Sequence, residues 1–333
     1  MTREFLKASR HALSALAIAA AAASTLLAPT AAIAAAPAQQ KTQAPGYYRM
    51  ALGDFEVTAL YDGYIDLNQG ELLKNVSAPD LKKLLARMFL GPTVQTSVNG
   101  YLVNTGTNLV LVDVGAGKCF GPTLGTIQDS IRAAGYQPEQ VDTVVITHLH
   151  GDHSCGLIGA DGQLAFPNAE LRTAKSESDF WLSEEVASKA PKQMQQFFKM
   201  ARDSVQPYIA AGKFHPFQGR TELAPGLIAV PTPGHTPGHT SYQFSSKGET
   251  LLVLGDLIHS HAAQFPRPKI AIQFDIDSPK AVKTREAIFA QAAKNKTWLA
   301  GAHLPFPGIG RIRTEGSGYA WVPVEYAPIV GGK

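Results

Sequence analysis

Four side chains able to bind a metal ion fall within six positions in the run Thr147-His148-Leu149-His150-Gly151-Asp152-His153. Imidazole and carboxylate donors together suit Zn²⁺, and also Mn, Co or Fe(II). On an extended segment His148 and His150, two residues apart, point to the same side. Asp152 and His153 follow one turn of chain later, so the run can serve two cations close together. Three further candidates end strands or follow turns downstream. His235 lies in Pro233-Gly-His-Thr-Pro-Gly-His239, Asp256 follows Leu251-Leu-Val-Leu254 and Gly255, and His303 follows Trp298 to Ala300. Taken singly, a loop histidine is more often solvated than a ligand, and an aspartate after glycine is usually a turn. Together they are hard to explain as turns, because sites are built on loops that rigid elements position. Spacing alone does not choose between His235 and His239.

The stretch Val141-Asp-Thr-Val-Val-Ile146 is short, apolar and β-branched, and it reads as a buried strand. The cluster then sits at the carboxyl end of a strand, where open α/β sheets place their ligands. Asp152 could also open a short helix. Further strands are expected over 55–61, 98–103, 109–114, 170–174, 227–230, 240–245, 250–254, 297–300 and 319–326. Helices are expected over 80–88, 126–134 and 281–293, with 177–212 helical in two pieces broken near Pro191. Strands and helices in each half predict an α/β fold of two sheets packed together, with helices outside. No linker follows residue 46 and no repeat is visible, so 47–333 reads as a single domain. Asp113 lies inside an apolar strand and needs a partner. It is either exposed or supports the metal loop from behind.

The N-terminus is a different material. Arg3, Lys7 and Arg10 precede an apolar run from Ala12 to Leu27, and Ala32-Ile33-Ala34 offers a small-residue cleavage site. Residues 1–34 therefore read as a secretory signal peptide, with 35–46 as a flexible leader. Ser24, Pro29 and Thr30 interrupt the run, which disfavours a membrane anchor. The chain is expected to be exported, periplasmic or secreted. The segment holds three positive charges and one negative, so the formal net charge of +3 falls to about +1 without it. Nothing in that balance argues for nucleic acid or for an anionic membrane surface. Two cysteines, Cys119 and Cys155, are too few for a disulfide framework and read as small buried thiols, although an exported chain could pair them.

The order Thr147-His-x-His-x-Asp-His153, Pro-Gly-His235, Gly-Asp256, Ala-His303 resembles the metallo-β-lactamase superfamily. Longer strings resemble its methyl parathion hydrolase group, which also holds lactone- and dihydrocoumarin-hydrolysing relatives. These are Pro45-Gly-Tyr-Tyr-Arg-Met-Ala-Leu-Gly-Asp54, Ala302-His-Leu-Pro-Phe-Pro-Gly-Ile-Gly310 and Gly318-Tyr-Ala-Trp-Val-Pro-Val324. The resemblance implies a four-layer αββα sandwich, two mixed sheets face to face, with a dinuclear site and a homodimeric assembly. His148, His150 and His235 would hold one cation. Asp152, His153 and His303 would hold the other. Asp256 would bridge them, and His239 would be structural. Asp152 and Asp256 would be the catalytic carboxylates.

Such a site, with zinc as the expected metal, lowers the pKa of a shared water and yields hydroxide near neutral pH to attack a carbonyl carbon or a phosphorus. No Gly-x-Ser-x-Gly elbow suggests a covalent alternative. Phe120, Trp181, Phe197 and Phe274 are expected around the site mouth, where aromatic rings suit a flat leaving group. Phe274 reads equally as core. His259 should face the pocket where organophosphate hydrolases of this group would carry an apolar residue. With Leu73 and Phe274 narrowing the pocket, it tilts the reading toward aryl esters and lactones, with phosphotriester hydrolysis as a weaker activity.

The alternatives are a dedicated methyl parathion hydrolase, an acyl-homoserine lactonase, and, from another class, a non-catalytic periplasmic metal-binding protein. A β-lactamase usually has Cys where Asp256 stands. A nuclease usually carries a further domain.

Overall fold

Strand β5 (Leu109–Val112) shows how this chain builds its layers. Its four residues are all buried, but they alternate between two different cores. Leu109 and Leu111 pack under helices, while Val110 and Val112 face a second sheet. A strand covered on both faces reads as a continuous apolar run, not as alternation with polar residues. Strand β11 (Glu249–Val253) repeats the pattern in the other sheet. Leu251 and Val253 face the shared inner core, and Leu252 faces outward toward the helix Ser278–Asn295.

The computed structural model describes residues 36–327 and 329. The signal segment expected over 1–34 lies outside the described residues. Residues 36–46 carry no helix or strand. Ala44–Lys333 forms one compact unit, and it holds all the elements below.

One sheet has six strands in the order β1-β2-β4-β5-β6-β7. These are β1 (Tyr47–Leu52), β2 (Phe55–Asn68), β4 (Thr93–Asn104), β5, β6 (Thr143–Val145) and β7 (Glu170–Arg172). The pairs β5–β6 and β6–β7 are parallel and the rest antiparallel. The other sheet has seven strands in the order β15-β14-β13-β11-β10-β9-β8. These are β8 (Thr221–Ala224), β9 (Leu227–Pro231), β10 (Thr240–Ser246), β11, β13 (Trp298–Ala300), β14 (Ile309–Glu315) and β15 (Gly318–Pro323). A small antiparallel pair from distant parts of the chain, β3 (Leu73–Lys74) with β12 (Ala271–Ile272), stands apart.

The two sheets share a core of Val57, Ala59, Tyr101 and Val145 against Tyr242, Phe244, Val253 and Ala300. Helices Ile127–Ala133, Lys175–Trp181 and Lys192–Ala210 cover the first sheet, and Ser278–Asn295 covers the second. This is the expected αββα sandwich.

Three local readings change. The helical region near 177–212 is three helices, Lys175–Trp181, Glu184–Lys189 and Lys192–Ala210, broken at Ser183, which caps the second, and at Pro191. Strands β1, β8 and β14 were not expected. They pair at or near the sheet edges, where tertiary pairing overrides weak local signals. Cys119 and Cys155 form a disulfide. The chain brings the two loops together from 36 residues apart, which their spacing could not reveal.

Candidate metal centre

The four loops that carry the candidate ligands leave their strands at one end of the sandwich. His148, His150, Asp152 and His153 follow β6, the last two within the one-turn helix Gly151–Ser154. His235 follows β9, Asp256 follows β11 and His303 follows β13. Gly255 turns the chain into Asp256 with φ +58°, and a Cβ there would lie 2.6 Å from His239 Nε2. Only glycine meets both demands cheaply.

The side-chain atoms converge in two groups. In the first, His148 Nε2 lies 3.0 Å from His150 Nδ1, and His235 Nε2 lies 3.1 Å from the same atom. Asp256 Oδ2 is 3.2 Å from His235 Nε2 and 3.5 Å from His148 Nε2. In the second, Asp152 Oδ2 is 3.5 Å from His153 Nε2 and 3.4 Å from His303 Nε2. Asp256 Oδ1 is 3.2 Å from both of those imidazole nitrogens. Asp256 thus contributes one oxygen to each group.

These groups fit divalent cations. Donors about 2.1 Å from a tetrahedral Zn²⁺ stand roughly 3.4 Å from one another, close to the separations here. His153 Nε2 and Asp256 Oδ1 are buried and make no hydrogen bond, although they lie 3.2 Å apart. They aim at a common point, not at each other. The outer ring nitrogens are held from behind. His153 Nδ1 donates to Asp113 Oδ2 at 2.8 Å, His235 Nδ1 to Asp275 Oδ1 at 3.0 Å and His303 Nδ1 to the Ser97 carbonyl at 3.0 Å. His148 Nδ1 pairs with Thr147 Oγ1 at 3.1 Å, and that hydroxyl donates to Asp113 Oδ2 at 2.9 Å. Such partners fix the tautomer that presents a lone pair inward.

The electrostatics point the same way. Burial works to raise the Asp256 carboxyl, but His153, His303, His259 and His148 outweigh it and hold it well below its usual range. Burial, with His235 nearby, pushes His150 down to about 3, so its lone pair is free. Burial also acts to lower His235, yet Asp256 and Asp275 lift it to about 9. Carboxylates that hold a proton on this imidazole would equally hold a cation there, which releases the proton.

His239 sits apart from both groups. Its Nε2 accepts from the Asp256 backbone N–H at 2.9 Å, and its Nδ1 lies 3.1 Å from the Thr232 carbonyl. Both ring nitrogens are occupied, Nε2 in holding the Asp256 loop and Nδ1 against Thr232.

His150, Asp152, Asp256 and His303, from both groups, line a cavity of about 820 Å³. Phe120, Trp181, Phe197, His259 and Phe274 line it. Phe274 is 38% exposed and so is wall, not core. Trp181 packs edge-on against His150, with ring centroids 5.1 Å apart. Leu73, expected at the pocket, does not line it. It pairs with Ile272 in β3–β12 and is buried with Leu81, Leu84 and Val94, because that face of the small sheet turns away from the site. Asp113, with φ +57°, is buried and turned onto Thr147 and His153.

Several further wall residues carry a periodic signal in the sequence. Met194 precedes Phe197 by one helical turn, and Ile65 and Leu67 alternate along β2. No local signal marks Asp275, which reaches His235 across 40 residues.

Residues 93–303 match the family profile of the Metallo-beta-lactamase superfamily. The chain belongs to this superfamily. The hydrolase AbOPH of the beta lactamase superfamily is 41% identical, with a TM-score of 0.82 over 86% of this chain and 100% of its own. AidC, a dizinc quorum-quenching lactonase solved with a product N-hexanoyl-L-homoserine, is 28% identical with a TM-score of 0.79, covering 85% of this chain and 99% of its own. An N-acyl homoserine lactonase of Bacillus thuringiensis is 25% identical over 130 residues, 38% of this chain and 43% of that protein. The chain spans about half the length of the curated relatives it matches. The histidine–aspartate cluster of this superfamily member is consistent with a dinuclear metal centre. No helix among the described residues is long and apolar enough to cross a membrane.

Proposed function

We propose that this hydrolase opens lactones and cleaves aryl esters of the dihydrocoumarin type, with phosphotriesters of the methyl parathion type as a weaker related activity. The observation that carries the reading is Asp256, whose two carboxylate oxygens each belong to a different donor group at the floor of an apolar, aromatic-walled cavity. His148, His150 and His235 would hold one cation, Asp152, His153 and His303 the other, and Asp256 both, with zinc favoured by the donor set. When bound, two such cations acidify a shared water and polarise a carbonyl or phosphoryl oxygen.

The chain's own residues supply the rest. Asp113, Asp275, Thr147 and the Ser97 carbonyl orient the imidazoles. Phe197, Phe120 and Phe274 exclude water and offer flat surfaces to an aryl leaving group, while Trp181, fully buried, packs behind His150. His259 places a polar edge beside Asp256, with Nε2 3.0 Å from Oδ2. That edge suits an ester more than a bulky phosphotriester with apolar substituents.

The test is a panel of dihydrocoumarin, an aryl acetate, an acyl-homoserine lactone, methyl parathion and a β-lactam on the zinc-loaded protein. The highest kcat/KM is expected on dihydrocoumarin or the aryl acetate. A higher value on the acyl-homoserine lactone would support the second reading, which similarity to AidC favours. A higher value on methyl parathion would make the protein a dedicated organophosphate hydrolase. Activity should vanish on chelation and return with Zn²⁺ or Mn²⁺. No activity on any member would revive the non-catalytic metal-binding reading. Export and homodimer formation belong to the same proposal. They rest on the N-terminal sequence and the family resemblance, and fractionation with light scattering tests them.

A further inference from the structure

Glu177 lies fully buried on the helix Lys175–Trp181, outside both donor groups. Its Oε1 accepts from the Leu149 backbone N–H at 2.9 Å. Its Oε2 accepts from the Thr236 hydroxyl at 2.7 Å and from the Gly238 N–H at 2.9 Å. Leu149 lies between His148 and His150, and Thr236 follows His235. One carboxylate therefore spans the two loops that carry the three histidines of a single donor group. The approach is close. A Cβ on Gly238 would sit 2.2 Å from the Glu177 backbone nitrogen, so the loop can dock there only with glycine.

We infer that Glu177 is a positioning residue for one half of the centre. It clamps the His148–His150 loop to the His235 loop, so that these three imidazoles converge. The inference rests on the reading of those histidines as metal ligands. The imidazoles of the other half share the His148–His153 segment in part but are oriented by other groups. His153 leans on Asp113 and His303 on the Ser97 carbonyl.

The chemistry requires a carboxylate. Three donors converge on two oxygens, and a buried donor left unpaired is costly. A glutamine amide keeps the shape but has one acceptor oxygen, so its NH₂ must face either Leu149 N–H or Gly238 N–H. The loop so released carries either His148 and His150 or His235.

The test is metal binding, read by competition with a chromophoric chelator and by elemental analysis, in two backgrounds. His303→Ala leaves the Glu177-dependent group as the complete one, and His235→Ala leaves the other. Adding Glu177→Gln in the His303→Ala background is expected to weaken Zn²⁺ binding by about 10- to 100-fold. In the His235→Ala background it is expected to leave the affinity within about twofold, on the additivity of uncoupled sites. Equal weakening in both backgrounds, or none in either, would overturn the inference. If Glu177→Gln fails to fold, Thr236→Val removes one donor and should weaken the same background by a smaller factor; no change there would overturn it as well. If the parent protein does not bind two Zn²⁺ per chain, the metal-centre reading fails first, and the two failures are distinguishable.

Discussion

His153 Nδ1 and Asp113 Oδ2 lie 2.8 Å apart, and the same aspartate accepts from the Thr147 N–H at 2.8 Å and the Thr147 hydroxyl at 2.9 Å. Asp113 is the counterpart of Glu177 in the opposite half of the centre. It collects three donors on two oxygens and turns His153 so that its other nitrogen faces inward. Asp113→Asn should therefore weaken zinc binding by roughly 10- to 100-fold, chiefly at the Asp152/His153/His303 group. Competition with a chelator measures it. Unchanged affinity would mean that Thr147 and packing orient the ring without the carboxylate.

The pH dependence of stability has a sign that His239 makes testable. Burial, with His235 nearby, depresses this imidazole to about 3 in the folded protein, against 6.5 for the free group. A depressed folded pKa means that the unfolded chain takes the proton first. The stability associated with neutral His239 is present above about 6.5 and is lost as pH falls toward about 3, at about 1.4 kcal/mol per unit within that window. Metal-free wild type and His239→Gln should differ in Tm most near neutrality, and the gap should narrow as pH falls from 7 to 5. A gap independent of pH would remove this account.

His259 donates through Nε2 to Asp256 Oδ2 at 3.0 Å, and its buried Nδ1 has no hydrogen-bond partner. Replacing it with leucine exchanges a polar edge for an apolar one at the cavity floor. His259→Leu should raise phosphotriester kcat/KM relative to lactone kcat/KM by about tenfold, a differential of about 1.4 kcal/mol. A ratio that stays fixed would show that His259 does not shape substrate choice.

The disulfide Cys119–Cys155 ties the loop bearing Phe120 to the chain just past His153. Closing a loop of this separation stabilises a fold by about 4 kcal/mol in the chain-entropy account. Replacing both cysteines with alanine should lower Tm by several degrees and raise KM for aryl substrates more than it lowers kcat, because Phe120 is wall and not ligand. Thermal unfolding and steady-state kinetics check the two parts. An unchanged Tm would mean that the loop is held by other contacts, such as the Asp62 carboxylate on the Ala116 and Ile127 N–H groups.

Much of the centre was legible in the chain because its donors are chemically rare in apolar strand ends. His148, His150, Asp152 and His153 are neighbours in sequence, and the strand before them is plainly apolar. The layers were legible too, since runs such as Leu109–Val112 have no polar face. Composition and spacing thus determined that this is an α/β chain with a dense histidine–aspartate cluster.

The tertiary structure decided matters of direction and partnership. His235 and His239 stand in near-identical Pro-Gly-His contexts, yet His235 Nε2 faces Asp256 Oδ2 at 3.2 Å while His239 Nε2 holds the Asp256 N–H. Leu73 and Phe274 looked alike as pocket walls, but the small β3–β12 sheet buries the first elsewhere and leaves the second on the cavity. Glu177, Asp275 and the Cys119–Cys155 bond act across 28 to 61 residues of chain. The reason is physical. Residue type and period report what one segment can bury or bind, whereas hydrogen bonds and covalent links between distant loops exist only after the two sheets pack and bring those loops to one end of the sandwich.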